Sequence, residues 1–517
     1  MSIPSIFNDV IGPVMRGPSS SHSAAAVRIG RIGRELMAGS LSEVRVYFDR
    51  AGSLPTTYLS QGSAMGLSGG LLGFDAADQR LIDYRRELQQ AGLKVEYITG
   101  NFGDHHPNTY NLTLKNSEEE HRLVAISTGG GMIELTAIDD RPVSFFVDCY
   151  ALAIWAEEVP PSLVTMLESA ECTFPRLESS HPPLLFVLRQ SQFDNDLLQS
   201  IRRQKGVKLV RPIFPVLPIL TSAETYVPFT TARELASFAG KGENLADLAL
   251  SYEAARGNIS REAVLEKMVD LVEILDNSIK IGLQGTQYQD RILGYQTERY
   301  TSALQAGRML NLGLLDRIIP YVTALMEVKS AMGVIVAAPT AGSCGGLPGS
   351  VLAVADAMAM DSQAKARGLL AGGLIGALIA TRSTFSAELC GCQAECGVSS
   401  GMIAGAVATM LGADAAVALG GASMALQNIF GMVCDPVAGR VEVPCLGKNI
   451  LAASNGVSCA NLALAGFDQV IPFDETVEAM DRVGRALPHE LRCTALGGLS
   501  ITPSSKLIEK RLAGHSL

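Results

Sequence analysis

Small apolar residues dominate the second half of this 517-residue chain and constrain its fold more than any other feature. Five runs rich in Ala, Gly and Leu follow one another at 324–338, 350–360, 369–380, 401–411 and 415–430. Side chains this small let helices approach one another closely, so we expect several of these segments to be helices buried on all sides. The pattern predicts an all-α C-terminal domain with buried Ala/Gly-rich helices over 232–517.

The run at 369–380 is the most membrane-like segment, but it does not suit a bilayer. It lies between Arg367 and Arg382, and it is well short of the roughly 20 apolar residues that a membrane-spanning helix needs. We therefore expect a buried helix and no membrane partner. The N-terminus has no basic stretch followed by an apolar core, so no secretory signal is predicted and a cytoplasmic location is expected.

The charge balance argues against one class of function. The net charge is −10, and no run of Lys or Arg interrupts the acidic balance. Nucleic-acid binding needs basic patches, so no nucleic-acid partner is predicted. Apolar residues make up 47% of the chain, which indicates a folded globular protein long enough for several domains.

The N-terminal half mixes helices and strands and is predicted as a multidomain α/β (α+β) region. Strand-like runs lie at 44–48, 95–98, 123–126 and 132–137. With a helix at about 23–37, they predict an α/β domain over 1–143. Further strand-like runs lie at 145–150, 184–188 and 207–216, with a helix near 194–204. They predict a small β-α-β, ferredoxin-like (ACT-like) module over 144–220, followed by a linker at 221–231.

The loop after Pro18 carries the first chemical signal, which consists of Ser19, Ser20, Ser21 and His22. Its hydroxyls can cap the following helix, and exposed backbone N–H groups there can bind an anion such as a substrate carboxylate. His22 is placed to transfer a proton. A Ser-rich helix cap with an incidental histidine explains the same residues, so the local sequence leaves both interpretations open.

A second candidate is the turn that contains His105, His106, Pro107 and Asn108. Two adjacent histidines before a proline lie on an extended turn, so they do not share a helical face as paired metal ligands do. The segment fits either a chemical role or an ordinary hydrogen-bonded loop.

Clustered cysteines form the strongest chemical signal, and they are Cys390, Cys392, Cys396, Cys434 and Cys445. Cys434 precedes Asp-Pro and Cys445 follows a proline, so both are expected at chain breaks. The spacing matches no common zinc pattern, whereas an iron–sulfur cluster needs only thiolates that converge from separate loops. Ten cysteines without a secretory signal favour metal binding over disulfides. Buried structural thiols remain the alternative interpretation.

Longer motifs carry a resemblance to a known family. IGPVMRGPSSSHSAAAVRIGR and DHHPNT resemble the β region of the iron–sulfur-dependent L-serine dehydratases (L-serine ammonia-lyases). From about 228 the chain resembles the α region of that family, with AAPTAGSCGGLPG, GCQAE, NIFGMVCDPVAGRVEVPC and TALGGLSITP. The resemblance covers nearly the whole chain, is weakest at 145–220, and implies that both regions are fused in one protein.

The resemblance implies a [4Fe–4S] cluster held by Cys392, Cys434 and Cys445, with one iron left open as a Lewis acid. Cys390 and Cys396 are then bystanders or alternate ligands, and Cys344 is not a ligand. The substrate-facing positions that the resemblance implies are Ser19, Ser20, Ser21, Asn108 and Thr340. The residues it implies for proton transfer are His22 and His106.

One departure from the family's pattern lies at Gln61. Where the family carries Gly-His-Gly-Thr-Asp, Gln61 replaces a histidine implicated in catalysis and Ala64 replaces an aspartate. A glutamine amide cannot act as a general base, so Gln61 is predicted only to bind substrate. Either His22 or His106 transfers the proton, or the substrate is not L-serine, or activity is impaired. The unchanged cysteine motifs favour altered specificity over lost function.

The resemblance predicts conversion of L-serine to pyruvate and ammonia by β-elimination, with His22 as the base that removes the α-proton. A related lyase for another β-hydroxy or β-thiol acid is the first alternative, and a non-catalytic, cluster-containing sensor is the second. The expected partner is a small amino or hydroxy acid, and the flat Ala/Gly-rich helices suggest a homodimer.

Overall fold

Strands and helices divide the chain into a mixed N-terminal region and a largely helical C-terminal region. The structure is a computed structural model that describes residues 3–174, 184–221 and 225–513. Parts of the predicted module (175–183) and of the predicted linker (222–224) lie outside the described residues. The mixed, multidomain architecture is confirmed, while the exact domain boundaries and the ferredoxin-like assignment stay predictions.

The main sheet of the N-terminal region is built from strands that precede residue 146. A short strand, β1 (Val14–Met15), lies outside this sheet, whose six strands are β2 (Glu43–Asp49), β3 (Lys94–Gly100), β4 (Thr109–Lys115), β5 (Glu120–Gly129), β6 (Met132–Ile138) and β7 (Arg141–Phe145). The sheet has the order β3-β2-β4-β5-β6-β7, with β2 and β3 parallel and the other pairs antiparallel. Val44, Val46 and Phe48 are buried because alternate residues of β2 share the core face. The four strands predicted here are confirmed, and β4 and β7 were not predicted.

Helices of the N-terminal region pack tightly beside this sheet. They are α1 (Ala25–Leu36), α2 (Leu54–Thr57), α3 (Ser63–Leu71) and α4 (Tyr84–Ala91). A Cβ added to Gly66 of α3 would lie 2.1 Å from the Ser23 carbonyl oxygen, and one added to Gly70 would lie 2.1 Å from the Val27 oxygen. Glycine at these positions allows α3 to touch the backbone of α1. This contact places Gln61, just before α3, beside the Ser-rich loop that precedes α1.

A second, smaller sheet follows, with strands β8 (Tyr150–Ala156), β9 (Leu184–Arg189) and β10 (Val207–Ile213) in the antiparallel order β10-β8-β9. Leu152 and Ile154 pack in the core beneath α5 (Pro161–Ser169) and α6 (Asn195–Arg202), whereas Ala151 and Ala153 belong to the core of the main sheet. The predicted strand at 145–150 is wrong, because Val147 has a φ of 59°, which a strand does not allow.

Helices dominate the rest of the described chain. They are α7 (Ala232–Phe238), α8 (Leu245–Gly257), α9 (Arg261–Gln284), α10 (Thr297–Gln305), α11 (Leu315–Ser330), α12 (Gly346–Ala357), α13 (Ser362–Ala380), α14 (Ala387–Cys390), α15 (Cys396–Met410), α16 (Ala415–Gln427), α17 (Cys445–Leu464), α18 (Phe473–Arg485) and α19 (Pro503–Ala513). Residues 368–379 of α13 and 396–408 of α15 are buried, as the small-residue pattern predicted. None of the helices described is both long and apolar enough to cross a membrane.

The predicted helical run at 324–338 is wrong in its second half. Helix α11 ends at Ser330, and β11 (Ile335–Val336) pairs with β1 in a two-stranded ladder. Consecutive β-branched residues from Val334 to Val336 favour an extended backbone over a helix. The C-terminal region is therefore not purely helical, and this ladder brings the N-terminal Ser-rich loop against the 339–345 segment.

Candidate active site and metal centre

Three predicted thiols, Cys392, Cys434 and Cys445, converge from separate chain breaks, and together we call them the thiol wall. Cys392 begins a short 3-10 turn directly after Gly391, whose φ of 70° favours glycine. Cys434 lies on an extended segment, and Cys445 is the first residue of α17, after Pro444. All three thiols are buried. The prediction that Cys434 and Cys445 lie outside helix interiors is confirmed.

The thiol wall has the chemistry of a metal centre. Cys392, Cys434 and Glu395, which was not predicted, have ligand atoms within 4.8 Å of one another. Cys434 and Cys445 line the same small cavity. Burial opposes the charge of Lys448, but the neighbouring thiols raise its pKa above the ordinary value. Buried sulfur ligands beside a cation suit an anionic iron–sulfur cluster.

The other cysteines of the same region have different neighbours. The Cys390 thiol lies 3.7 Å from a carboxylate oxygen of α18. Asn449 donates to the Cys396 sulfur at 3.6 Å, and the Cys344 and Met326 sulfurs lie 3.8 Å apart. These contacts agree with the prediction that Cys344 is not a ligand and favour Cys390 and Cys396 as bystanders over alternate ligands, and all three assignments stay predictions.

Sequence analysis missed Cys493, which lies against the thiol wall. Its N–H donates to the Cys434 carbonyl oxygen at 2.9 Å. Cys392, Cys434 and Cys493 share one buried apolar group, and Cys493 also lines the cavity. The sequence signal that could have identified Cys493 is its position directly before the TALGGLSITP motif. Its distance along the chain from the other cysteines hid the contact.

Ser19, Ser20, Ser21 and His22 lie opposite the thiol wall, and we call them the serine–histidine loop. All four side chains are buried. The predicted helix cap is wrong, because no side chain of this loop caps α1. The hydroxyls of Ser19 and Ser21 instead lie 3.1 and 3.2 Å from His22 Nδ1. The loop therefore uses its serines to surround the imidazole.

Hydrogen bonds assign the tautomer of His22. Its Nε2 lies 2.9 Å from Thr57 Oγ1. The Thr57 hydroxyl donates its proton to the Ser53 carbonyl oxygen at 2.7 Å, so the threonine oxygen accepts from His22 Nε2–H. This leaves Nδ1 unprotonated on the side of Ser19 and Ser21, which line the cavity. Burial lowers the pKa of His22 and keeps the imidazole neutral.

Glu388, also missed in the sequence analysis, links the two sides of the cavity. Its carboxylate accepts hydrogen bonds from Ser21 at 3.2 Å and Ser386 at 2.7 Å and lies 3.7 Å from His22 Nδ1. Burial opposes ionisation of Glu388, but its polar neighbours hold its pKa below the ordinary value. Because the buried imidazole is neutral, we attribute this stabilisation to the hydroxyl donors. The sequence signal that could have identified Glu388 is an acidic residue within a largely apolar stretch.

His106 and Asn108 are not among the residues that line the cavity. His106 Nδ1 accepts from the Asn108 N–H at 3.2 Å, and Asn108 Oδ1 accepts from Ser53 at 2.5 Å. Burial lowers the pKa of His106 as well. Since His22 contacts two residues of the lining through its free nitrogen, the geometry favours His22 over His106 for proton transfer.

Gln61 and Thr340 complete the predicted site residues. Gln61 lines the cavity, and its Nε2 donates to the Cys493 sulfur at 3.5 Å. Thr340 donates to Glu395 Oε1 at 2.6 Å, and burial raises the pKa of Glu395 to about 7. Ala64 is buried within α3. The position where the family resemblance implies a histidine thus contacts the Cys493 thiol.

The fold and the cavity define a class of protein, an enzyme whose buried, metal-capable thiols face a serine–histidine loop. Comparison with known proteins refines this class. A family model described as "Serine dehydratase alpha chain" matches residues 240–500. The chain belongs to this serine dehydratase family, and it is a lyase.

Several curated relatives are similar to the chain. It is 34% identical over 273 residues to a probable L-serine dehydratase alpha chain of Bacillus subtilis (strain 168), covering 53% of this chain and 91% of the relative. It is 35% identical over 284 residues to the L-serine dehydratase alpha chain of Peptoniphilus asaccharolyticus, covering 54% and 97%. L-serine dehydratase 2 of Escherichia coli (strain K12) is 31% identical over 291 residues, covering 54% and 62%.

Proposed function

We propose that the chain is an L-serine ammonia-lyase that converts L-serine to pyruvate and ammonia. The observation that carries the proposal is one cavity lined by Cys434 and Cys445 on one side and by Ser19 and Ser21 on the other. Cys392, Cys434 and Cys445 would hold a [4Fe–4S] cluster. When bound, the cluster supplies a Lewis acid for the departing β-hydroxyl group.

His22 is the base in this proposal. Its unprotonated Nδ1 can accept the α-proton, and the Nε2–H bond to Thr57 holds the ring in place. Proton transfer makes an imidazolium, which the Glu388 carboxylate at 3.7 Å stabilises. A buried, neutral histidine beside a carboxylate is arranged to gain a proton during the reaction and to release it afterwards.

Hydroxyl groups of the serine–histidine loop would bind the substrate carboxylate. Ser19 and Ser21 line the cavity, whereas Ser20 accepts a hydrogen bond from the Ala341 N–H at 3.2 Å. Ser20 would therefore act indirectly, because it holds the 339–345 segment against the loop. Thr340 on that segment would orient Glu395 toward the thiol wall.

One specific observation favours a second candidate function, a related lyase acting on another β-hydroxy or β-thiol acid. Gln61 is a permanent hydrogen-bond donor and acceptor on the cavity lining, where the family resemblance implies a titratable histidine. Amide groups select substrates by hydrogen bonding and cannot replace a proton-transfer group. The same lyase chemistry could thus act on a substrate whose side chain differs from that of L-serine.

Anaerobic purification tests the proposal. Iron and acid-labile sulfide are quantified per chain, and ammonia release is then measured with L-serine and a panel of β-hydroxy and β-thiol acids. We expect both cluster components and release from L-serine. Turnover of another acid without turnover of L-serine would contradict the serine assignment. Iron and sulfide without turnover of any acid would favour the sensor interpretation.

The homodimer and the cytoplasmic location that the sequence suggested stay predictions. The Ala/Gly-rich helices that suggested a dimer are largely buried within one chain, so they no longer support it. Analytical ultracentrifugation of the anaerobic protein tests the dimer directly, and a single species with the mass of one chain would contradict it.

A further inference from the structure

A large cavity, with a volume of about 570 Å³, lies apart from the active site and has no role in the proposed reaction. Its lining comes from the N-terminal segment 7–14, α1, the 75–77 segment, the 215–218 segment and α9, and we call it the α1–α9 cavity. Among the described residues, none lines both this cavity and the one between the thiol wall and the serine–histidine loop. Its volume falls within the range of about 300–1,000 Å³ that is usual for small-molecule sites.

Most of the lining of the α1–α9 cavity is apolar. Phe7, Val27 and Leu217 belong to it and are buried, and Leu271 of α9 belongs to it and is half-buried. In small-molecule sites, an apolar lining takes up the body of the ligand, and a few polar groups fix its orientation. This lining therefore suits a ligand with an apolar body.

A buried cation, Arg28 of α1, interrupts the apolar lining. The residue is 6% exposed. Its Nη1 donates to the Gly131 carbonyl oxygen at 2.6 Å and to the Met132 sulfur at 3.7 Å. Within the described part of the chain, Nε and Nη2 of Arg28 have no hydrogen-bond acceptor. The parallel N–H groups of a guanidinium match the two oxygens of a carboxylate, so these nitrogens can bind one.

The charge of Arg28 has no ion-pair partner among the residues that the structure describes. Burial lowers the pKa of Arg28 to about 10, and Asp9, which lies beyond ion-pair distance, partly offsets this effect. The Asp9 carboxylate instead accepts from the Ser5 N–H at 2.8 Å. The guanidinium is thus protonated at neutral pH. Because a buried cation without an ionic partner is costly, an anion in this cavity would be stabilised.

The other charged side chains of the lining also favour an anion. Arg31 of α1 forms an ion pair with Asp75 at 2.8 Å. Lys267 and Asp270, both on α9, are exposed. With Arg28, the lining carries three cationic and two acidic side chains, although the net charge of the whole chain is −10. A locally positive cavity in an acidic protein attracts anionic ligands.

We propose that the α1–α9 cavity is a binding site for a small carboxylate with an apolar body. The carboxylate would pair with Nε and Nη2 of Arg28, and the apolar body would contact Phe7, Leu217 and Leu271. A neutral apolar molecule is the competing occupant, since it would make the same apolar contacts without the ion pair. The site needs neither the metal cluster nor the lyase reaction, so it stands even if the proposed function fails.

A matched pair of ligands separates the two occupants. Isothermal titration calorimetry of the anaerobically purified full chain measures binding of phenylbutyrate and of its uncharged amide, phenylbutyramide. We expect phenylbutyrate to bind at least about tenfold more tightly than the amide, because only the acid forms charge-assisted hydrogen bonds with Arg28. Equal affinities for the two ligands would overturn the proposal, as would absence of phenylbutyrate binding to wild type.

Arg28→Gln tests the guanidinium. This variant should bind phenylbutyrate at least about tenfold more weakly than wild type does, and its unchanged affinity for phenylbutyramide should show that the cavity is intact. Arg34→Gln is the matched control, since Arg34 lies on the same helix, donates to the Leu71 carbonyl oxygen at 3.2 Å and is not among the lining residues. Unchanged phenylbutyrate binding in Arg28→Gln would overturn the proposal.

Two further measurements locate the ligand and keep the proposal testable if Arg28→Gln does not fold. Leu271→Trp puts a larger side chain into the lining at a half-buried position, and it should weaken binding of both ligands. Excess L-serine should leave phenylbutyrate binding unchanged, since the proposed substrate occupies the other cavity. Full binding by Leu271→Trp, or displacement of phenylbutyrate by L-serine, would place the acid elsewhere and overturn the proposal.

Discussion

The thiol wall and the serine–histidine loop meet at one cavity but are built in different ways. The thiol wall draws its three sulfurs from separate turns, and backbone features such as the start of α17 position them. The serine–histidine loop is four consecutive residues, and side-chain hydrogen bonds to Thr57 and Glu388 orient it. We therefore expect the thiol wall to lose its metal-binding capacity when one sulfur is removed. In the serine–histidine loop, replacing single side chains should lower activity by steps.

The largest effect is expected on the thiol side. Cys434→Ala should lose most of its iron and sulfide, and lyase activity should fall to background, because the remaining thiols no longer enclose the cluster. Metal analysis and ammonia release check both expectations. Cys459→Ala is the control and should keep both iron and activity. Full iron content in Cys434→Ala would show that the thiol wall does not hold the cluster.

On the other side, His22→Gln should retain iron and lower kcat by about 10²–10⁴-fold, the range for loss of a general base. Because burial lowers the pKa of His22, the acid limb of the wild-type pH profile of kcat/KM should lie below the ordinary histidine value of 6.5. His105→Ala, at an exposed position, is the control. An acid limb that persists unchanged in His22→Gln would assign the base elsewhere.

Gln61 lies where the two sides meet, and its replacement should produce an intermediate effect. Gln61→His restores the residue that the family resemblance implies and removes the amide donor to Cys493. We expect the ratio of kcat/KM for L-serine to that for the preferred alternative acid to rise by about tenfold. Gln61→Asn is the matched control, since it keeps an amide. An unchanged ratio in Gln61→His would remove Gln61 from specificity.

The smallest effect concerns the join between the N-terminal segment and the helical region. Glu253 of α8 accepts from the Ser5 hydroxyl at 2.5 Å and the Ile6 N–H at 2.8 Å, and burial raises its pKa to about 7 from the ordinary 4.5. The folded state therefore binds this proton more tightly than the unfolded state. The contribution of Glu253 to stability is complete below pH 4.5 and is lost as pH rises through about 7.

Glu253→Gln should remove this pH dependence. We expect the free energy of unfolding of wild type, relative to the variant, to fall by about 3 kcal/mol or less between these pH values. Denaturant unfolding at several pH values measures the difference. If the difference in the free energy of unfolding between wild type and Glu253→Gln did not change with pH, Glu253 would not titrate in this range.

Much of the fold could be predicted because its signals are local. Strand-like runs of residues predicted β2 and β6, and runs of small residues predicted the burial of α13 and α15. The errors have physical causes. The end of the 324–338 run forms β11 because three consecutive β-branched residues favour an extended backbone. The strand expected at 145–150 does not form because Val147 has a positive φ.

The candidate site divides in the same manner. Cysteines at Pro- and Gly-rich breaks and a Ser-Ser-Ser-His loop are visible in the sequence, so both sides of the cavity could be anticipated. Glu388, Glu395 and Cys493 could not, since each contacts the site through residues distant in the chain. Single acidic residues and a single cysteine carry no periodic or spacing signal.

The sequence by itself determined which chemical groups this protein can bring to a site, and its resemblance to a family implied that Cys392, Cys434, Cys445 and His22 act at the same site. Only the tertiary structure decided that Nδ1 of His22 is the free nitrogen, that Glu388 faces it, and that Cys493 joins the thiol wall. Local sequence encodes backbone preference and burial. Protonation and ligation depend on which distant groups packing brings within hydrogen-bonding distance, and that is a property of the folded chain.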